Sequence, residues 1–402
     1  MKTKKIFDIL VAAGFCLIIF LVPVLTKLEP TAEYSIFENR NLAKLPVYSN
    51  KDDEGNELKW DRALSKYMSS WDVYYSDHIV QRDKFLKLKN LIDINLLKRP
   101  VVNDVVIQKD LLLPFNSYII DTSYVEKRVK TVGERLNKLN KLVESYGGKF
   151  IYIGVPEQYS MLREYYPKYL NSNDELLSLI ENSFFAELDS YGIDYINMRV
   201  EFYRTGNYIN YYSRTDHHYN LQGAFLTYQV LINKIGAGLP MLTENDIEFV
   251  KLENPFYGSR NRKLYNRYDS HDKLYYYTEK NPLGFTRENN GNQVSARVFN
   301  LPEAGDKTTP VTYNMYMGGD IAETIIKTNR ENLPNALLFG DSFTNPFETF
   351  LYQSFNETRS LDLRHYKNTA ILEYIEEYKP DYVFCMRDDT AYISLNGNGD
   401  IK

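Results

Sequence analysis

The chain opens on a long uncharged stretch. From residue 9 to residue 26 nothing is charged, and most positions are Ile, Leu, Val, Phe or Ala. Eighteen residues at helical rise reach about 27 Å, the thickness of a bilayer's hydrocarbon core. After a polar run over 48–57, residues 58–97 repeat apolar positions at helical spacing, with Trp60, Leu64, Met68 and Trp71 along one side. Residues 101–113 read as paired short strands. Residues 123–146 form a strongly amphipathic helix through Val129, Val132, Leu136, Leu139 and Leu142, stopped by Gly147-Gly148. The apolar run 150–155 suits a buried parallel strand. Helical patterns over 174–190 and 221–235 enclose a short strand at 193–196. A Tyr-, Asn- and Gly-rich stretch over 240–330 interrupts the alternation and reads as a loop-rich insertion of short strands. The alternation resumes with strands at 336–339 and 382–386 and helices at 346–355 and 369–378. Helices alternating with short apolar strands predict an α/β fold, a parallel sheet flanked by helices.

Three lysines within the first five residues precede the apolar stretch and favour a short inner tip with the bulk of the chain outside. A cleaved signal peptide is the competing reading, but Val24-Leu25-Thr26 is a poor small-x-small cleavage site, so an uncleaved anchor is expected. Asp8 stays at the wet inner edge, Pro30 reads as linker-like, and bulky Phe15 argues against lipid attachment at Cys16. The expected organisation is a cytoplasmic tip and transmembrane anchor over 1–28, an extracytoplasmic stem with helices over 29–100 and a catalytic domain over 101–402. Cys16 and Cys385 are the two cysteines, so no disulfide framework exists. The net charge is −5, from 48 Lys and Arg against 53 Asp and Glu, which excludes the basic excess of a nucleic-acid binder. The 35 tyrosines offer flat faces and hydroxyls suited to a polymer surface, or simply to packing.

Two short strings sit where strand-end loops should fall. In the first, Asn335-Ala-Leu-Leu-Phe-Gly340-Asp341-Ser342-Phe343, an apolar strand runs into Gly-Asp-Ser and then a helix. Gly340 permits a tight turn, and Ser342 lands near a helix N-terminus whose amides can stabilise an oxyanion. The second is Thr215-Asp216-His217-His218-Tyr219-Asn220, just before the helix at 221. A serine nucleophile needs a base, and the base needs an orienting acid; Asp-x-His on one turn supplies both. Each string could equally be a helix cap. They gain weight together, because a triad requires both at strand-end loops of one sheet.

These residues resemble the DHHW family through Asp216-His217-His218-Tyr219, where Tyr219 replaces the family's Trp. That family is SGNH-hydrolase-like and includes alginate and Gram-positive secondary cell wall polysaccharide O-acetyltransferases. Further pieces of the likeness are Glu38-Asn39-Arg40-Asn41-Leu42, Ser76-Asp77-His78 with Arg82, Val106-Ile107-Gln108-Lys109-Asp110, Val155-Pro156, Gly318-Gly319-Asp320 and Gly340-Asp341-Ser342-Phe343. The resemblance implies an SGNH-like sheet, with Ser342 as nucleophile, His218 as base and Asp216 as orienting acid. It offers the backbone of Ser342 and Gly319 as the oxyanion hole, and His217, Tyr219 and Arg387 as candidates to touch substrate. Arg387 could instead form an ion pair with Asp388 or Asp389 on an exposed turn.

The implied activity is extracytoplasmic O-acetyl transfer, through a serine acyl-enzyme, to hydroxyls of a cell-surface polysaccharide. No cofactor and no metal are called for. Acetyl-CoA is not expected outside the cell, so the resemblance also implies a multispanning membrane-bound O-acyltransferase partner and, by its kind, a Gram-positive bacterial membrane. A secreted carbohydrate acetylesterase uses the same triad. A non-catalytic polysaccharide-binding scaffold would use Tyr257-Gly258-Ser259-Arg260, Tyr275-Tyr276-Tyr277 and residues 313–317 as its surface. A manganese phosphoesterase of the Asp-His-His type fits poorly, because His78, His271 and His365 stand alone in the sequence. A zinc site fails for want of paired cysteines, and Cys385 reads as a buried strand residue.

Overall fold

The computed structural model describes residues 2–29, 32–115, 122–170, 173–236, 238–268 and 271–402; Pro30 lies outside them. The chain divides into two compact units, one of residues 1–103 with 261–268, the other of 104–260 with 269–402.

The first unit begins with helix α1, Lys2–Leu28, whose span Ile6–Leu28 is long and apolar enough to cross a membrane. The helical spacing over 58–97 resolves into α2, Trp60–His78, and α3, Arg82–Leu91, followed by one π turn over Ile92–Leu96. The break is local: Gln81 takes a left-handed φ of 61° and turns the chain. Arg40 reaches across with two hydrogen bonds, at 2.9 and 2.6 Å, to the buried carboxylate of Asp77. Asp77 also accepts from the Ala43 amide at 2.8 Å, and His78 Nε2 meets the Ala43 carbonyl at 2.7 Å. Arg82 closes the clamp on Glu38. The Arg40 and Ser76-Asp77-His78 strings thus fold together around one buried carboxylate, that of Asp77, whose two oxygens are both hydrogen-bonded, while Arg40 stays exposed.

The second unit carries the sheet. In chain order its main elements are β1 (Val105–Gln108), β2 (Leu111–Pro114), α4 (Thr122–Ser145), β3 (Lys149–Val155), α5 (Asp174–Ser190), β4 (Asp194–Asn197) and α6 (Leu221–Ile235). They continue with β5 (Ile247–Lys251), β6 (Tyr275–Glu279), β7 (Thr286–Asn289), β8 (Asn292–Val294), β9 (Glu323–Lys327) and β10 (Ala336–Gly340). The last are α7 (Thr344–Leu351), β11 (Glu357–Leu361), α8 (Ile371–Tyr378) and β12 (Tyr382–Asp388). The eight-stranded sheet has the order β8-β7-β9-β11-β10-β12-β3-β4. Strands β11, β10, β12, β3 and β4 are mutually parallel. Strands β9, β7 and β8 add to the β11 edge antiparallel.

The sheet is therefore mixed, which corrects the purely parallel expectation. The stretch 240–330, expected to stand apart from the alternation, contributes β7, β8 and β9 to the same sheet. Strands β1 and β2 pair as the expected hairpin, and β5 and β6 pair as a separate ladder.

On one face Val129, Leu136, Phe184, Leu188 and Ile375 from α4, α5 and α8 pack on Tyr152, Phe339, Val383 and Cys385. Side chains alternate along a strand, so Leu338 and Phe384 turn to the other face. Helices α6 and α7 meet through Phe225 and Phe350, ring centroids 5.1 Å apart. Gly340 ends β10 where no larger residue fits: a Cβ there would lie 2.0 Å from the Met386 carbonyl oxygen of β12.

Candidate functional site

Both strings fall at the sheet's carboxyl edge. Ser342 stands two residues beyond β10 and two before α7. Asp216 and His218 stand on the loop leading into α6, whose Asn220 side chain accepts from the Gly223 amide and caps the helix. His218 Nε2 lies 2.7 Å from Ser342 Oγ, and its Nδ1 lies 2.6 Å from Asp216 Oδ1. A carboxylate only accepts, so Nδ1 carries the proton and Nε2 faces the serine as an acceptor.

The acid is held firmly. Asp216 Oδ2 accepts from the Ser259 amide at 2.6 Å, and Oδ1 also accepts from the His218 amide at 3.2 Å. The loop bearing Ser259 comes this close because Gly258 has no side chain: a Cβ there would sit 2.5 Å from the Thr215 carbonyl. Arg260 supports the turn from below, donating to the Asp216 carbonyl at 2.8 Å and pairing with Glu157 at 3.0 Å. Burial pushes Asp216 up, but the two histidines and the Ser259 amide outweigh it and hold its carboxyl well below the usual carboxylate range. Asp216 therefore stays charged.

Tyr313 stacks face to face on the base, its ring 3.6 Å from that of His218 and only 4° off parallel. Its hydroxyl is buried without a hydrogen-bond partner among the described residues. Tyr313→Phe is accordingly expected to keep turnover and to raise the melting temperature slightly, since an unpaired buried hydroxyl costs about 1 kcal/mol or more. Tyr313→Ala removes the wall that fixes the imidazole; at about 1 kcal/mol per aromatic contact, turnover should fall roughly fivefold. Rates and melting curves of the pair check this.

The remaining candidates separate by burial. His217 is half-buried and holds Ser259 Oγ with its Nδ1 at 2.8 Å, so it borders the triad without joining it. Tyr219 is fully buried, and its hydroxyl donates to the Phe343 carbonyl at 2.7 Å. It braces the loop of His218 against the loop of Ser342. Arg387 is also buried, at 2% exposure, on β12, which removes it from a substrate surface. Nor does it pair on an exposed turn: Asp389 binds Arg199 at 2.9 Å, and Arg387 Nε and Nη1 have no hydrogen-bond partner among the described residues.

The oxyanion donors also part. The Gly319 amide is spent on the Tyr316 carbonyl at 3.0 Å, so it is not free to donate. The Phe343 amide is spent on Asp341 Oδ1 at 3.0 Å. The Ser342 amide has no such bond among the described residues. Asp341 Oδ2 accepts from the Asp388 amide at 2.9 Å, and burial together with nearby Asp388 pushes the Asp341 carboxyl well up.

Sequence reasoning singled out Ser259 and Tyr313 only as polymer-binding surface. The Ser259 amide instead holds Asp216 and the Tyr313 ring stacks on His218, and Tyr277, Tyr313 and Tyr316 are buried. A cavity of about 580 Å³ is lined by Ser213, Arg214, Tyr219, Lys273 and Tyr313, so the loop carrying Asp216 and His218 forms part of its wall.

Among the described residues, two groups of side chains bring ligand atoms within 4.8 Å of one another: Asp216, His217 and His218, and Asp320, Asp362 and His365. In the first, both oxygens of Asp216 and the Nδ1 of each histidine are already hydrogen-bonded within the site. In the second, the Arg364 guanidinium bridges Asp320 at 2.9 Å and Asp362 at 2.6 Å, filling a cation's place.

Behind the nucleophile, burial raises the Glu348 carboxyl of α7 to about 7, with Thr344 Oγ1 donating to it at 2.7 Å. Between about pH 4.5 and 7 the folded chain keeps a proton that the unfolded chain releases, so stability falls as pH rises through that window. Urea unfolding of Glu348→Gln should lose that part of the slope, about 2–3 kcal/mol between pH 5 and 8.

No family model matches the chain, and no curated protein matches it. Solved structures do. Bacillus cereus PatB1 is 26% identical with a TM-score of 0.60, the match covering 72% of this chain and 96% of that one. A second structure of PatB1, with a sulfonyl adduct, matches at 24% identity and TM-score 0.60 over 73% and 97%. A DHHW family protein from Eubacterium siraeum matches at 18% identity and TM-score 0.53 over 73% and 93%. The likeness first carried by Asp216-His217-His218-Tyr219 is thus matched in fold by a DHHW family protein.

Proposed function

We propose that this protein is an SGNH-like serine O-acetyltransferase, anchored by α1 with its catalytic unit outside the cell, that moves an acetyl group to hydroxyls of a cell-surface polysaccharide. The observation that carries the reading is the continuous line Asp216–His218–Ser342, with links of 2.6 and 2.7 Å at the carboxyl edge of the sheet. The family resemblance supplies the acyl group and the polymer; the fold shared with PatB1 and with a DHHW protein is consistent with both.

The geometry supports the following order of chemistry. His218 Nε2 takes the Oγ proton as Ser342 attacks the acetyl carbonyl carbon of the donor. The negative oxygen that forms is met by the free Ser342 amide. The imidazolium, steadied by Asp216, returns the proton to the leaving group, and an acetyl-serine ester remains. A sugar hydroxyl then enters, gives its proton to His218 and attacks the ester, which restores Ser342 Oγ–H. A membrane-bound O-acyltransferase is the proposed source of acetyl groups outside the cell, where acetyl-CoA is not expected.

A carbohydrate acetylesterase would run the same first half and use water in the second. The discriminating experiment gives the full chain a chromogenic acetyl ester with and without polysaccharide. Faster release of the chromophore with polymer, and acetyl recovered on the polymer, supports the transferase. Equal rates with acetate alone as product place the protein with the esterases.

A further inference from the structure

The first unit carries an apolar face that none of its described residues covers. On α3 and its π turn, Phe85, Leu88, Ile92 and Leu96 recur at steps of three and four residues and are 63%, 53%, 37% and 73% exposed. At 100° per residue they share one stripe, with Lys84 on one side and Lys89 on the other. Residues 82–99 hold six Lys and Arg against two Asp, in a chain whose net charge is −5. Lys89 and Arg99 share Asp93, while Lys87 lies over the Phe37 ring at 4.7 Å, away from the stripe.

The position of this helix names what it meets. The corner just before α3 is hydrogen-bonded to the outer end of α1: the Val80 amide donates to Thr26 Oγ1 at 3.0 Å, and the Gln81 amide and side chain donate to the Glu29 carboxylate, each at 3.2 Å. Given that α1 spans a bilayer, α3 starts where α1 leaves it. From Arg82 to Leu97 the segment then runs roughly 24 Å. Apolar residues on one face, cations beside them and a start at the membrane exit are the marks of a helix lying in the interface, with lysine stems reaching along the apolar face to lipid phosphates.

We propose that α3 lies in the outer interfacial layer of the membrane that α1 crosses, its Phe85–Leu96 stripe in the upper acyl region and its cations among anionic headgroups. A peripheral helix beside a single span would fix the height at which the chain leaves the membrane surface. The other exposed stripe, Trp60, Leu64 and Met68 on α2, lacks this character: Asp61, Asp72 and Asp77 outnumber Arg62 and Lys66 there.

The test uses the full chain with Cys16→Ser, in vesicles of phosphatidylcholine and phosphatidylglycerol. Buried Cys385 does not react. Nitroxide is placed in turn on Phe85→Cys, Leu88→Cys, Leu96→Cys, Lys87→Cys and, as a reference within the span, Ile18→Cys. Positions 85, 88 and 96 are expected to collide severalfold more with dissolved oxygen than with an aqueous nickel chelate, as position 18 does, and position 87 to show the reverse. Nickel access at 85, 88 and 96 equal to that at 87, with 18 still in lipid, overturns the proposal while α1 remains a span. Protection of the stripe from both reagents also overturns it, in favour of a second copy or another protein on that face. Phe85→Glu with Leu88→Glu supplies an independent check: a label at 96 should then move into water, and an unchanged label contradicts the account.

Discussion

Replacing Ser342 with Ala is expected to cut acyl transfer by about a thousand-fold or more and leave the fold in place. Among the described residues Ser342 Oγ has one hydrogen-bond partner, His218 Nε2 at 2.7 Å, so the folded chain loses a single such contact, about 1 kcal/mol. The chemistry loses the atom that becomes covalently bonded. The free amide of residue 342 survives the substitution, so a small residual rate above water is expected. Initial rates on an acetyl ester, read beside a melting curve, separate the two effects. A variant that melts like the parent and keeps its rate removes Ser342 from the chemistry.

The second large effect distinguishes two adjacent histidines. His218→Ala should cost about a thousand-fold or more, whereas His217→Ala should cost less than about tenfold. The asymmetry is geometric. His218 is buried between Asp216, Ser342 and the Tyr313 face, with each ring nitrogen committed along the line to the serine. His217 points its Nδ1 to Ser259 Oγ and is half-buried. Asp216→Asn is expected to fall with His218, by about ten-thousand-fold at the strongest, because an amide at that place no longer selects the tautomer with Nε2 free. Added imidazole should partly restore His218→Ala and leave Ser342→Ala unchanged. Equal losses at His217 and His218 contradict the assignment of the base.

Much of this was legible in the chain, and the limits have physical causes. Helix α4 and strands β3, β10 and β12 are visible because burial on one side or both writes itself as periodic or continuous apolar sequence. Strand β11, Glu-Thr-Arg-Ser-Leu, has a single apolar residue, and its place between β9 and β10 comes from pairing over distance. The polar strands β7 and β8 are hidden in the same way, and β9 offers only Ile325 and Ile326, so the antiparallel edge of three strands was missed.

At the site, Asp216, His218 and Ser342 could be singled out because each string is short and precedes a helix, and the fold brings the three side chains into line. Tyr313 and Ser259 could not be assigned their places, because both reach the triad from loops far along the chain. Tyr219 and Arg387 read as contact residues by their chemistry, yet both are buried. Gly319 has the conformation of a functional turn, with φ of 91°, but its amide is bonded locally.

The central claim is a covalent acetyl group on one serine. The most direct measurement incubates the full chain in detergent with an acetyl ester, quenches at intervals and reads intact mass, followed by peptide mapping. The account predicts a gain of one acetyl group on the peptide containing Ser342, absent in Ser342→Ala, accumulating in His218→Ala only far more slowly, and discharged faster when polysaccharide is added. An acetyl group on any other residue, or turnover of the ester with no adduct at any time, contradicts it.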